Sequence, residues 1–317
     1  STREIVKYPD LLSDIITETK ADLVVGPSGF GIPVTNIKDI GERELFLMSL
    51  IKKEDKKSMM GLRASINSMK QNKLPVFFLP GVIHLPTVPY YRKFNRIDMG
   101  TADKLCCAAL GIRDQAIRNS IKFNETSFIL LEIGFGYTAA LAVKNGQVVD
   151  GIGGSVGNIG FLSLGGMDSE LAYLLGGFNK ELVFRGGVEK LVKDPDKLIE
   201  NDDALEAYLE GAVKDVLQLT ASVKAGEILV SGRISRIEGI LEELEKRLDL
   251  APVRKLEGFS TQNVKEAAQG AAIVANGLAG GRYSELTELM KIKEAKGTSL
   301  DYILLPEINV LKKEYGI

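Results

Sequence analysis

FILLEIGFGYTAALAVKNGQVVDGIG, residues 128–153, decides the fold. It reads as three consecutive strands: Phe128 to Ile133, Thr138 to Val143 and Gln147 to Ile152 are apolar and partly β-branched. Asn145-Gly146 joins the last two, and Asn-Gly suits a type I′ hairpin turn. The first join, Gly134-Phe135-Gly136-Tyr137, puts two glycines in a tight turn ahead of the Thr138 hydroxyl. Such a turn can aim several backbone N–H groups at one point and lets an anion approach the main chain. Glu132 sits just before it, placed to orient a water or a magnesium ion. The competing reading is a plain meander whose glycines only permit the bend.

Downstream, Gly151 to Gly160 is dense in glycine, as befits a loop lining a cleft. No Gly-Lys-Ser/Thr follows, so it is not a Walker A loop, and it lacks the strand–turn–helix order of a Rossmann fingerprint. Asp168 is placed to cap a helix over residues 169–175. A long helix is expected over 202–223, a strand over 227–230, the turn Ser231-Gly232-Arg233, and a helix over 236–247. An Ala- and Gly-rich helix over 264–279 would allow close helix approach, and the tail gives one more helix and the short apolar piece 302–306.

Upstream, a helix over 9–19 leads to a buried strand at 22–26 and the loop Pro27-Ser28-Gly29-Phe30-Gly31. Ser28 and the amides of Gly29 and Gly31 could hold an acid group of a substrate; the alternative is a stiff turn. Helices over 39–53 and 55–71 precede a strand at 75–79. The densest polar patch, residues 81–98, follows with His84, Arg92, Arg96 and Asp98. Arginine forks suit carboxylates and phosphates, and a histidine can position a carbonyl or phosphoryl oxygen. Arg92 and Arg96 are four apart, sharing a face if helical. The alternative is a surface loop of solvated charges. A helix then runs over 101–118 with Thr101 as N-cap and Asp103 in its first turn.

The 317 residues suffice for two domains. A net charge of −2 gives no global field for nucleic acid, and no apolar run is long enough to span a bilayer. The two cysteines, Cys106 and Cys107, are adjacent, so they cannot bridge and do not complete a zinc site; they read as core residues in a reducing cytoplasm. The lack of Trp and the wealth of Lys and Glu fit a thermophilic source.

The 128–153 hairpins resemble the second phosphate motif of the superfamily of acetate kinases, sugar kinases, the heat-shock chaperone ATPase and actin, within it most closely an archaeal family of predicted butyrate kinases. Glu132, Gly134, Gly136 and Thr138 hold the places of its acid, its Gly-rich turn and its threonine. Ser231-Gly232-Arg233 resembles the adenosine motif, with Arg233 in place of a second glycine, and 264–279 resembles the second connecting helix. His84-Leu85-Pro86 is similar to a segment of acetate kinases, but Pro80 stands where they carry an aspartate, so Asp98 or Asp103 would take its role or the chemistry differs. The resemblance implies a two-domain actin-like ATPase (ribonuclease H-like) α/β fold, divided here at about 1–123 and 124–317. Its first phosphate-binding β-meander has no counterpart, which suggests an N-terminally shortened form. The implied activity is ATP-dependent phosphorylation of a short-chain carboxylate such as butyrate. The turn Gly134–Thr138, with Phe135 and Tyr137, would hold phosphates, and Glu132 and Asp103 would reach the Mg²⁺ shell. Arg92 or Arg96 would neutralise the transferring phosphoryl group or the carboxylate. The implied partner is a small-molecule carboxylate, with a homodimer as an open option. The rival readings are a regulatory nucleotide-binding relative and an ATPase that activates a partner enzyme.

Overall fold

The computed structural model describes residues 7–8, 10–53, 55, 60–259 and 264–317. Pro9 and residues 56–59, which belong to two of the expected helices, lie outside them, as do the first residues of the chain.

The hairpins are where the sequence puts them. β4 (Phe128–Ile133), β5 (Thr138–Lys144) and β6 (Gln147–Ile152) form an antiparallel meander, and Asn145 and Gly146 take φ values of 52° and 71° at its second turn. β7 (Ile228–Ser231) adds parallel to β4, and β8 (Val253–Lys255) parallel to β7. The sheet order is therefore β6-β5-β4-β7-β8. Both faces are covered, which is why β4 reads as a continuous apolar run rather than an alternation. Phe128 and Leu130 pack with α4 (Ala102–Asn119) and α8 (Glu266–Leu278). Ile129, Leu131 and Ile133 pack with α6 (Asp202–Leu219) and α7 (Ile240–Arg247). The small residues of α8 serve the close approach expected of them: a Cβ at Gly270 would lie 1.8 Å from the carbonyl oxygen of Cys106 on α4.

The second sheet is smaller. β1 (Val24–Val25), β2 (Thr35–Asn36) and β3 (Val76–Phe78) make a sheet of order β1-β3-β2. α1 (Leu11–Thr19), α2 (Glu42–Ser49) and α3 (Met60–Gln71) accompany it. α2 is shorter than expected because Leu50 turns left-handed (φ 50°) and closes it. α7 begins at Ile240 rather than Arg236, because Gly239 takes φ 85° ahead of it. α5 (Ser169–Leu175) has the expected cap: the Asp168 carboxylate accepts from the amides of Glu170 and Leu171.

The tail carries two helices rather than one, α9 (Ser284–Leu289) and α10 (Ile308–Tyr315). α10 returns to the first half, where Ile308 and Leu311 join its core and Tyr315 stacks on Phe46 at 3.5 Å between ring centroids. The segment 79–110, in contrast, packs with the five-stranded sheet. Cys106 and Cys107 are buried and free, and burial pushes both thiols up. No helix among the described residues is long and apolar enough to cross a membrane.

Candidate functional site

The first turn of the meander is closed by one bond, Gly134 N–H to the Tyr137 carbonyl at 3.0 Å. The amides of Phe135, Gly136 and Tyr137 donate to no acceptor among the described residues. Gly136 has a φ outside the left-handed region, and a Cβ added there meets nothing within 4 Å. The fold therefore does not demand glycine at 136. Gly232 is the opposite case: it takes φ 98°, and its Cβ would sit 2.4 Å from the Ile133 carbonyl oxygen. That contact brings the turn after β7 against the end of β4, with Ser231 in register with Glu132. The guanidinium of Arg233 lies over the Phe135 ring at 4.7 Å. Residues 134–138 and 231–233, far apart in sequence, thus share one end of the sheet.

Three buried oxygens at this end, Glu132 Oε2, Thr138 Oγ1 and Ser231 Oγ, have no partner in good hydrogen-bond geometry among the described residues, though the Tyr208 phenol neighbours Thr138. Native interiors rarely leave such groups unpaired. Glu132 Oε2 does have an ion-pair neighbour, the Lys104 ammonium at 3.0 Å, set outside hydrogen-bonding geometry. Lys104 also lies 2.7 Å from Asp103 Oδ2, and the Thr101 hydroxyl donates to the same carboxylate instead of capping its helix. Burial alone would lower the Lys104 ammonium, but Glu132 and Asp103 outweigh it and hold the pKa up. Burial raises the Glu132 carboxyl despite Lys104. Asp103, half exposed, is held below the usual carboxylate range, the ammonium outweighing desolvation. Lys104 was not singled out from sequence, where a lysine in a first helical turn reads as a solvated charge.

Of these groups Thr101, Asp103 and Lys104, with Tyr137 of the turn, line a cleft of about 1250 Å³; Glu132, Thr138, Ser231 and Arg233 are not in its lining. Its lining includes Val25 to Phe30, Met48, Asp103, Lys104, Tyr137, Ser155, Lys180 and Phe184. Leu300, Ile308 and Leu311 of the tail add apolar surface. Lys180, also missed in the sequence, lies over the Phe30 ring at 4.9 Å, and burial lowers its pKa. Tyr137 is pushed up to about 12 by burial, its hydroxyl donating to the Val183 carbonyl.

The acid-side residues named from sequence are distributed otherwise. Ser28 lines the cleft, but its hydroxyl donates to the Gly26 carbonyl and accepts from the Leu79 amide. Gly29 and Gly31 take φ of 55° and 89° where a Cβ would strike Met48 O and Gly81 N, so the stiff-turn reading accounts for both. Asp98 reaches the cleft wall, and its oxygens accept from the Gly100 amide, the Ser155 amide and the Ser155 hydroxyl. Burial raises its pKa. Arg92 and Arg96 do not share a helix: a 3₁₀ turn ends at Lys93 and Asn95 is left-handed. Arg92 donates to the Val149 carbonyl at 2.8 Å and lies 3.6 Å from Asp150, pinning β6. Arg96 is exposed, and neither arginine lines the cleft. His84 is buried and lines a separate small cavity.

Among the described residues no group of three or more His, Cys, Asp or Glu could hold a metal. Glu132 and Asp103 do converge on one cation, the Lys104 ammonium. Two carboxylates suffice for a magnesium ion that arrives on nucleotide phosphates.

The sequence matches the family described as "Protein of unknown function (DUF1464)" over residues 1–305. The chain belongs to this family. Among solved structures, the acetate kinase of Entamoeba histolytica is similar at 12% identity, over 75% of this chain and 70% of that one, with a TM-score of 0.56. The acetate kinase of Porphyromonas gingivalis is similar at 11% identity, over 83% and 82%, with a TM-score of 0.52. No curated protein matches. At these identities the likeness establishes a shared actin-like ATPase fold, as the sequence led us to expect.

Proposed function

We propose that this protein is an ATP-dependent phosphotransferase acting on a short-chain carboxylic acid, of the butyrate kinase kind, with ATP and Mg²⁺ in the cleft. The carrying observation is the Gly134–Thr138 turn: three unengaged amides beside a glycine the fold does not require, next to Glu132 and against the Gly232 turn. Phosphoryl transfer asks for positioning and charge neutralisation more than covalent chemistry. The amides of Phe135, Gly136 and Tyr137 bind phosphate oxygens, and Thr138 starts the strand that holds them. Arg233 and Phe135 flank the adenosine. Glu132 and Asp103 face the magnesium shell; when bound, Mg²⁺ neutralises phosphate charge and orients the transferred group. Lys104 and Lys180 take the neutralising role first given to Arg92 and Arg96, since they line the cleft. Apolar walls from Val25, Met48 and Leu300 suit the hydrocarbon end of an acid, and the volume exceeds the ~300–1,000 Å³ of common single-ligand pockets.

The test is incubation with Mg²⁺-ATP and acetate, propionate, butyrate or valerate, with acyl phosphate trapped by hydroxylamine. Acid-dependent hydroxamate is the expected product. Nucleotide binding without hydroxamate from any acid would support a second reading, a nucleotide-binding regulatory protein. One observation favours that reading: His84, Arg92 and Arg96 lie away from the cleft, and Ser28 is committed within the fold.

A further inference from the structure

A second cavity, about 270 Å³, lies away from the cleft between the 3₁₀ turn Val82–His84 and the tail. His84, Lys93, Lys296, Tyr302, Pro86 and Glu294 line it. Its polar groups are out of balance. Lys93 is 5% exposed and pairs with no carboxylate among the described residues. Its ammonium donates to the Leu85 carbonyl at 2.8 Å and reaches the Tyr302 hydroxyl at 3.4 Å. A buried charge without a counter-ion is strongly unfavourable. The strain shows as a pKa lowered to about 8 by burial.

His84 is 2% exposed and its Nε2 has no hydrogen-bond partner among the described residues. The tautomer follows from the main chain. His84 Nδ1 lies 3.2 Å from both the Gly81 amide and the Gly81 carbonyl; the carbonyl also accepts from the His84 amide, whereas the buried Gly81 amide has no acceptor but Nδ1 among the described residues. Nδ1 is therefore the acceptor, and Nε2 carries the hydrogen. Burial lowers the ring's pKa to about 4, so it is a neutral donor. Lys296 brings a further ammonium, its amide bonded to the His84 carbonyl. The carboxylates nearby are spoken for: Glu294 pairs with Lys291 at 2.8 Å, and Asp301, whose charge reaches His84, pairs with Lys312 at 2.7 Å. The cavity thus gathers the buried Lys93 ammonium, which also lies 4.9 Å over the Tyr302 ring, and the unpartnered His84 Nε2, with the exposed Lys296 and Glu294 in its lining.

We propose that this cavity is a binding site for a compact oxyanion, held by the Lys93 and Lys296 ammonium groups and by His84 Nε2–H. Its volume is several times the ~30 Å³ share of one water, ample for a phosphate- or carboxylate-sized ion. The site is independent of the nucleotide reading: it shares no lining residue with the cleft and persists if that reading fails.

The single histidine makes the test direct, because a long-range ¹H–¹⁵N imidazole spectrum contains His84 alone. The apo protein at neutral pH should show a neutral ring with hydrogen on Nε2. Titration with inorganic phosphate, and separately with acetate, at constant ionic strength set by sodium chloride, should move the Nε2–H signal with saturation by at least one of the two. Which one saturates tells phosphate from carboxylate. Lys93→Met and, in case that variant fails to fold, the exposed-site Lys296→Met should each weaken the response at least tenfold. Lys93→Met should also abolish the anion-dependent rise in melting temperature. A signal unmoved by either anion up to about 20 mM, enough to reveal a millimolar Kd, would overturn the site. So would a response unchanged in both variants.

Discussion

Replacing Gly136 by Val separates a phosphate cradle from a mere bend. A Cβ at 136 meets nothing within 4 Å, and φ is outside the left-handed region, so the substitution should change stability by no more than about 0.5 kcal/mol, like an ordinary surface change. If the turn cradles a phosphate, the added side chain should crowd it. A charge-assisted hydrogen bond contributes about 1.5–3 kcal/mol, so losing one should weaken nucleotide binding roughly 10- to 150-fold. Calorimetry with Mg²⁺ and a non-hydrolysable ATP analogue reads the affinity, and denaturant unfolding reads the stability. Gly232→Ala provides the contrast. It forces a side chain into φ 98° and 2.4 Å from the Ile133 carbonyl, and should cost on the order of 1–3 kcal/mol of stability whatever the ligand. Undiminished affinity in a well-folded Gly136→Val protein would refute the cradle. A large stability loss in that variant would refute the premise that the fold does not need the glycine.

Lys104→Met should destabilise the protein at neutral pH by about 2 kcal/mol, less than a fully buried pair because Asp103 is half exposed. Glu132 is already raised by burial, so its share of the deficit should fade as pH falls through that raised value, while the share from Asp103, held low by the ammonium, persists to more acid pH. A pH-independent deficit by denaturant unfolding would contradict the pairing. Arg92→Ala should leave acid-dependent turnover within about twofold and cost about 1 kcal/mol of stability, since it holds the Val149 carbonyl and Asp150; a tenfold fall in kcat/KM would return Arg92 to the site. Gly270→Ala should cost about 1–3 kcal/mol by prising α8 off the Cys106 carbonyl, and wild-type melting would contradict that packing.

The hairpins were legible because their signals are local. β4 and β6 have the bounds the residues suggest, and β5 runs one residue further. Continuous apolar runs, an Asn-Gly turn and a two-glycine turn act over a few residues, and in a hairpin the turn fixes the register. β2 and β8 are two and three residues long and carry no such signal; their pairing is set by neighbouring strands rather than by their own side chains.

The site was legible only where the main chain makes it. The Gly134–Thr138 and Gly232 turns are backbone features, and glycine announces them. Side-chain chemistry in a loop is different, because its direction is fixed by packing remote in sequence. Arg92 and His84 looked equivalent as polar residues after a strand, yet one is drawn to β6 and the other to a polar cavity shared with the tail. Lys104 shows the same in reverse. Glu132 lies on the face of β4 that carries Phe128 and Leu130, and that face packs on α4. A helix covering a strand end that bears a buried carboxylate must offer it a cation or leave it uncharged. Given the sheet order, an ammonium in the first turn of α4 follows from that rule; without the order, the sequence could not say which helix would meet Glu132.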